Sequence, residues 1–430
     1  MIEIASEKKY ELNSIIGAKL EDIIPFVKLA TERYLEESEN RVESTIQENY
    51  TSIHPTVKWR FVEAATKWNT AKIQGKEDLA LEDIVFNNVY PLYGQSDIVG
   101  SSTARNKSIQ ADLEVQIQLV IETLEKVLEV QDFPIYKKLI FRVRDCLNNI
   151  KEGLSAGDEL SILDFLKREI YPVFEHIKTL SLQLEEIVDQ YVGQIDPQLK
   201  VVYRQRKAYE DSVTIINEKL AGFLDRKQEQ AQQMFAHYYE RYKTDGVEYN
   251  MYIGESLVPD RSFNKIYLQN LRLWQLETMY AIEQVAYQLV GELPYPLRVA
   301  SLILVHNSPL SIKFHMDQKQ FNVDGAYNAR YEIIKKRIDK SHIKGTSERL
   351  TQAGKLAIIY SQENDAKEYL NYIRYLQSEN KLGKVEMLEL EDLQGLSGLK
   401  AIRVEILYKD IKAIEAGTAQ KQLKEKVLSV

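Results

Sequence analysis

The sequence predicts a predominantly α protein: a bundle of long helices followed by a C-terminal α/β domain of four to five strands. Three observations lead there. Residues that break helices are scarce, with 18 Gly and 10 Pro in 430 residues, well under the usual ~7% and ~5%. Apolar residues recur at three- and four-residue steps over long stretches, the period of a helix with one buried face. Beyond Pro294 and Pro296 the pattern shortens to apolar runs and period-two alternation, as strands require. An all-β fold, which needs a turn every ~8–12 residues, is excluded.

The elements follow in order. Residues 18–49 predict one or two helices with Pro25 near the start. His54-Pro55 interrupts them, and KWRFVEAATKW continues as a helix. Residues 75–102 read as a loop-rich connector. Residues 101–133 contain neither Gly nor Pro, and Ile109, Leu113, Ile117, Val120, Ile121, Leu124, Val127 and Leu128 form one apolar stripe. Pro134 stops that helix, and the next, 135–152, ends at Gly153. A third covers 158–192 and should kink at Pro172, which lacks a helical donor. Asp196-Pro197 reads as the cap of a helix reaching about 242. Residues 243–260 read as an inter-helix loop, and 260–290 as a fifth long helix.

In the tail, RVASLILV (298–305) predicts a buried strand, with SIKF as its returning hairpin partner. A basic helix follows at 326–342, a strand at 355–361 and an amphipathic helix at 363–380. VEMLELE (385–391) and KAIRVEILY (400–408) alternate as half-buried strands, the second as an antiparallel edge. The resulting organisation is an N-terminal helical segment (1–90), a long-helix body (91–293), an α/β domain (294–410) and a C-terminal helix (411–430).

Composition narrows the function. With 56 basic and 64 acidic residues the net charge is −8, the wrong sign for a nucleic-acid binder, which needs a basic surplus against phosphates. No apolar run approaches a membrane span, and the polar N-terminus has no signal-like core. Cys146 is the one thiol, so no internal disulfide or Cys-based zinc site exists, and the expected compartment is the cytoplasm. The six His are scattered without metal spacing, and no motif nominates a catalytic residue, a metal or a cofactor. The 26 Tyr suit half-buried helices or an interface, and the long helices allow a homo-oligomer.

Two segments carry candidate chemistry. In PLYGQSDIVGSSTARNKS (91–108), Ser96, Asp97, Ser101, Ser102 and Arg105 gather near a helix start, where backbone donors, hydroxyls and a guanidinium suit a phosphate or carboxylate. The string is neither a Walker loop nor a GxSxG elbow. Helix capping and turn formation account for the same residues. In RYEIIKKRIDKSHIKGTSERLTQAGK (330–355), Lys336, Arg337, Thr346, Glu348 and Arg349 lie on a basic helix and the loop before a strand, a setting for an anionic ligand or an acidic partner. A solvated face, its charge offset by Glu332, Asp339 and Glu348, is the simpler reading of the same residues.

Four strings, TSIHPTVKWRF (51–61), VFNNVYPLYGQSDIVGSS (85–102), DGVEYNMYIGESL (245–257) and KRIDKSHIKGTSERLTQAGKLAIIYS (336–361), resemble the later part of large bacterial GAF-domain-containing proteins of unestablished function. The resemblance implies a GAF-like α/β module in the tail and a signalling role. The functional expectation is a non-catalytic regulatory, sensory or scaffolding protein that binds a small anionic ligand or a protein partner. The alternative is an enzyme acting on a nucleotide or phosphorylated small molecule through 335–349.

Overall fold

The computed structural model describes residues 14–49, 53–75, 80–154, 157–259, 261–316, 319–325, 329–393 and 397–408. The C-terminal helix expected at 411–430 lies outside them. Helix α1 (Ser14–Asn49) leads to α2 (Pro55–Ile73). His54 caps α2 through its ring, whose Nδ1 accepts the Thr56 N–H at 3.3 Å, with Pro55 in the first turn, where its missing donor costs nothing.

The chain then forms β1 (Val85–Ile98), which corrects the first expectation. The fold is a nine-stranded mixed sheet with helices, not a helical bundle with a small four- to five-stranded domain. The connector at 75–102 supplies the sheet's central strand. The polypeptide leaves β1 for α3 (Ser101–Val130), α4 (Pro134–Glu152), α5 (Asp158–Phe165), α6 (Tyr171–Lys178) and α7 (Leu182–Val192). These helices share one apolar core, which includes Ile117, Val120, Leu124, Val143, Leu166, Ile170 and Ile177. The predicted 158–192 helix is segmented. A π-helical turn at Leu166–Ile170 precedes Pro172, and Ser181 starts α7 as an N-cap for Leu184.

Helix α8 (Gln205–Met234) starts later than Asp196-Pro197 suggests. Asp196 Oδ1 instead accepts the Gln198 and Leu199 N–H groups at 2.9 and 2.8 Å and closes a turn. The buried carboxylate of Asp112, on α3, then accepts the Arg204, Gln205 and Arg206 N–H groups at 3.1, 3.0 and 2.9 Å. It satisfies the free donors at the start of α8 and locks the bundle to the sheet side of the molecule.

Helix α8 also ends early. YYERYK is strand β2 (Tyr238–Lys243), and the expected loop at 243–260 is a turn followed by β3 (Gly246–Ile253). Helix α9 (Lys265–Leu289) precedes β4 (Val299–Leu304), β5 (Leu310–His315) and β6 (Gln320–Val323). After α10 (Ala329–Lys335) come β7 (Lys355–Tyr360), α11 (Glu363–Ser378), β8 (Leu382–Glu389) and β9 (Lys400–Ile406).

The sheet order is β2-β3-β1-β4-β7-β9-β8, with β5 on β1 and β6 on β5. Along one edge β1 pairs antiparallel with β3, from Tyr90↔Ile253 to Asp97↔Gly246. Along the other it pairs first with β5, up to Val89↔Leu310, and then with β4, from Tyr93↔Leu304. β4 and β5 are therefore not a hairpin; they lie end to end on one neighbour. Pro91 falls in the gap between them, where no partner on that edge needs its missing N–H. The expected edge strand β9 is interior, between β7 and β8.

Both faces of the sheet are covered. Helices α8, α9 and α11 pack on one face, over Val247, Met251, Ile303, Ile358 and Ile402. The α10 segment covers part of the other, with Tyr331, Ile334 and Ile338 on Leu302, Ile359 and Ala401. Burial on both faces explains the unbroken apolar run in β4.

Gly94 sits opposite Tyr249, whose ring crosses its α-carbon. A Cβ there would lie 2.6–2.7 Å from the ring's Oη, Cε1 and Cζ. Because Tyr249 is fully buried, Gly94→Ala is expected to destabilise the protein by about 1–3 kcal/mol. In a Tyr249→Leu background the same change should cost under ~0.5 kcal/mol. Urea denaturation of the four proteins checks this pair.

Candidate functional site

The alternation of β1 sends Tyr93, Gln95 and Asp97 to the face opposite α9, and the strand then turns into α3 through Val99 and Gly100. Gly100 has φ +64°, a left-handed backbone that glycine adopts without strain. Having no side chain, it leaves the Ser101, Ser102 and Thr103 N–H groups without a side-chain cap; its carbonyl takes the Ala104 N–H at 2.9 Å. Across from this helix start stand Lys335, Lys336, the 3-10 turn Ile338–Lys340 and Arg349. The β2–β3 turn supplies Thr244 and Asp245, and β3 supplies Glu248. These groups enclose an open cleft of about 880 Å³.

The two segments singled out in the sequence thus face one another, though more than two hundred residues separate them. Of the ten candidate residues, Asp97, Ser101, Ser102, Lys336 and Arg349 line the cleft. Ser96 points to the other face, its hydroxyl 2.8 Å from that of Ser301. Arg105 lies further along α3, outside the lining. Arg337 also lies outside it. Thr346 shapes the 343–348 turn, donating to the Ile343 carbonyl at 2.9 Å and accepting the Glu348 N–H at 3.1 Å. Glu348 is held by Arg403 at 2.8 Å.

The cleft divides by charge. Lys336, Lys340 and Arg349 are exposed and form no ion pair with a carboxylate among the described residues. Lys335 differs, being bound to Glu332 at 2.9 Å. The carboxylates Asp97, Asp245, Glu248 and Asp339 line the same space. Ser101 donates to Asp245 Oδ2 at 2.8 Å, and the Tyr93 hydroxyl donates to Glu248 Oε2 at 2.9 Å. Burial raises the Asp97 pKa to about 6, helped by neighbouring Asp339 and Asp245 and opposed by a hydrogen bond with Gln95. Burial, reinforced by Glu248, likewise pushes the Tyr93 hydroxyl well above its ordinary range.

Sequence reading did not single out Tyr93, Gln95, Asp245 or Glu248. Asp245-Gly246 between YYERYK and VEYNMYI is a hairpin signal that would have placed two of them. Among the described residues no three His, Cys, Asp or Glu side chains gather as a metal ion would require. No described helix is long and apolar enough to cross a membrane.

Residues 107–220 match the model of a family described as YeeD uncharacterised protein. This stretch runs from α3 into α8 and stops short of the cleft. No curated protein matches the chain. The crystal structure of the guanylyl cyclase Cya2 is similar at 12% identity over 47% of this chain and 83% of that one, with a TM-score of 0.27. A similarity at that score carries no statement about fold or activity here.

Asp97 gives a test in pH. Its folded pKa is raised, so it favours folding below the unfolded value near 3.8, and that contribution is lost as pH rises through about 6. Asp97→Asn should therefore flatten the stability profile between pH 4 and 7. At pH 7.5 the variant should be more stable than the parent by about 1–2 kcal/mol. Denaturant titrations across that range decide it; an unchanged slope would place Asp97 in an ordinary solvated setting.

Proposed function

We propose that the chain is a non-catalytic binding protein of regulatory or sensory type, whose cleft takes a small anionic ligand. One observation carries this reading: the start of α3 and the basic 335–349 segment converge on one cavity, with Lys336, Lys340 and Arg349 lacking a carboxylate partner among the described residues. Uncapped N–H groups at a helix start and unpaired cations both favour a phosphate or carboxylate. The carboxylates on the remaining wall favour hydroxyl or amino donors on the rest of the ligand. A nucleotide or sugar phosphate has this polarity, and the cleft is large enough for it. The GAF-like resemblance is in keeping with a sensory role.

The alternative, an enzyme acting on such a compound, is favoured by Asp97, which titrates near neutrality inside the cleft. Binding and turnover separate in one set of experiments. Calorimetry with inorganic phosphate, nucleotides, sugar phosphates and di- and tricarboxylates should find at least one ligand. Arg349→Ala and Lys336→Ala should each weaken it about tenfold, about 1.4 kcal/mol. Lys344→Ala, which removes a cation paired with Glu389 outside the cleft, should leave affinity unchanged. Absence of binding, or binding indifferent to Arg349 and Lys336, would remove the cleft as a site. Product formation that Asp97→Asn abolishes while binding persists would establish the enzyme reading.

A further inference from the structure

A second, smaller cavity lies on the other face of the sheet. Helix α9 contributes Glu283, Ala286 and Tyr287 to it, Val290 follows at the helix end, and Arg298 and Val299 come from the start of β4 and the residue before it. Gly354 and Tyr408 close it, giving a space of about 120 Å³. The wall is mostly aliphatic or aromatic, and the Tyr287 and Tyr408 rings stack with centroids 4.0 Å apart.

Two polar groups break this lining. Glu283 is 1% exposed, and its Oε1 has no hydrogen-bond partner. Arg298 is exposed and forms no ion pair with Glu283 or any other described carboxylate. A buried oxygen without a partner costs about 1–3 kcal/mol, so something that supplies a donor would be bound there with advantage.

The space limits the occupant. A water's share of liquid volume is about 30 Å³, so the cavity holds a molecule of about four to six heavy atoms. An amine alone would place its charge near Arg298 with nothing to offset that cation. A carboxylate alone would leave the deep Glu283 oxygen unpaired. A molecule with both groups answers both. We propose that this pocket binds a small zwitterion, an α-amino acid of glycine or alanine size, with its ammonium on Glu283 and its carboxylate on Arg298.

Burial pushes the Glu283 pKa up to about 8, against the opposing hydrogen bonds of Ser301 and of the Tyr408 hydroxyl, which leave Oε1 the oxygen without a partner. Near neutral pH the carboxyl is therefore mostly protonated, and an arriving ammonium displaces its proton to the buffer. Binding then carries its own signature, proton release.

The test is calorimetry on the full chain with glycine and L-alanine, in two buffers of different ionisation enthalpy. Binding at pH 7 should release close to one proton, and at pH 9, above the Glu283 pKa and below that of the ligand's ammonium, close to none. Glu283→Gln should weaken affinity at least tenfold and abolish the release. Arg298→Ala, at an exposed position that does not disturb the core, should weaken it at least tenfold and keep the release. No heat with either amino acid at millimolar concentration would overturn the proposal. So would equal affinity for acetate or methylammonium, or unchanged affinity in Arg298→Ala.

Discussion

β1 carries ladder hydrogen bonds along both edges, to β3 on one side and to β5 and then β4 on the other, and the whole sheet is assembled through its fourteen residues. β3 lies about 150 residues further along the chain and β4 about 200. Their pairing closes very long loops, whose entropic cost is met only when the strands dock together. The approach is correspondingly close. A Cβ on Gly246 would stand 2.2 Å from the Ser96 carbonyl oxygen and 2.8 Å from the Asp97 α-carbon. Backbone cannot yield there as a side chain might, so glycine is required at that register position. The cleft depends on the same pairing, because Asp97 reaches it from β1 and Asp245 from the turn beside Gly246.

A buried polar network holds the helical layer against this sheet. Arg272 on α9 is 3% exposed and donates to Glu368 on α11 at 2.7 Å and to the Asn307 side-chain oxygen at 2.6 Å. Asn307, in the β4–β5 connection, donates in turn to Asp365, and Glu368 accepts the Tyr372 hydroxyl at 2.7 Å. Buried ion pairs contribute little net stability, but removing one partner strands the other charge. The network fixes where α9 and α11 sit over the sheet. Glu283 and Tyr287 are on the same α9, so it sets the second pocket as well.

The helices were legible because their signals are local. Pro134 marks the start of α4 and Gly153 its end, and the stripe from Ile109 to Val127 matches the buried face of α3. The tail strands β4 and β7 were legible because burial on both faces gives runs such as ASLIL and LAIIY, while β9 was legible through its period-two alternation, which misplaced it as an edge. β1 was not. Its cleft-facing side is polar at Gln95 and Asp97, and its helix-facing side includes Ser96, which pairs with Ser301 rather than with carbon. Neither period-two alternation nor an apolar run survives, and Pro91 and Gly94 read as turn residues. Their roles, a gap between two partners and a seat for Tyr249, exist only once distant strands are in place. The candidate site was half legible for the same reason: each wall had a local signature, while the carboxylates between them arrive through sheet pairing.

Native-state amide hydrogen exchange, resolved to single residues, tests most directly whether β1 is the ladder on which the sheet is built. The Tyr93–Asp97 amides should be among the slowest in the sheet and open only with global unfolding, together with those of β4 and β7. Exchange of these amides through a low-energy local opening, while β7 and β9 stay protected, would contradict it.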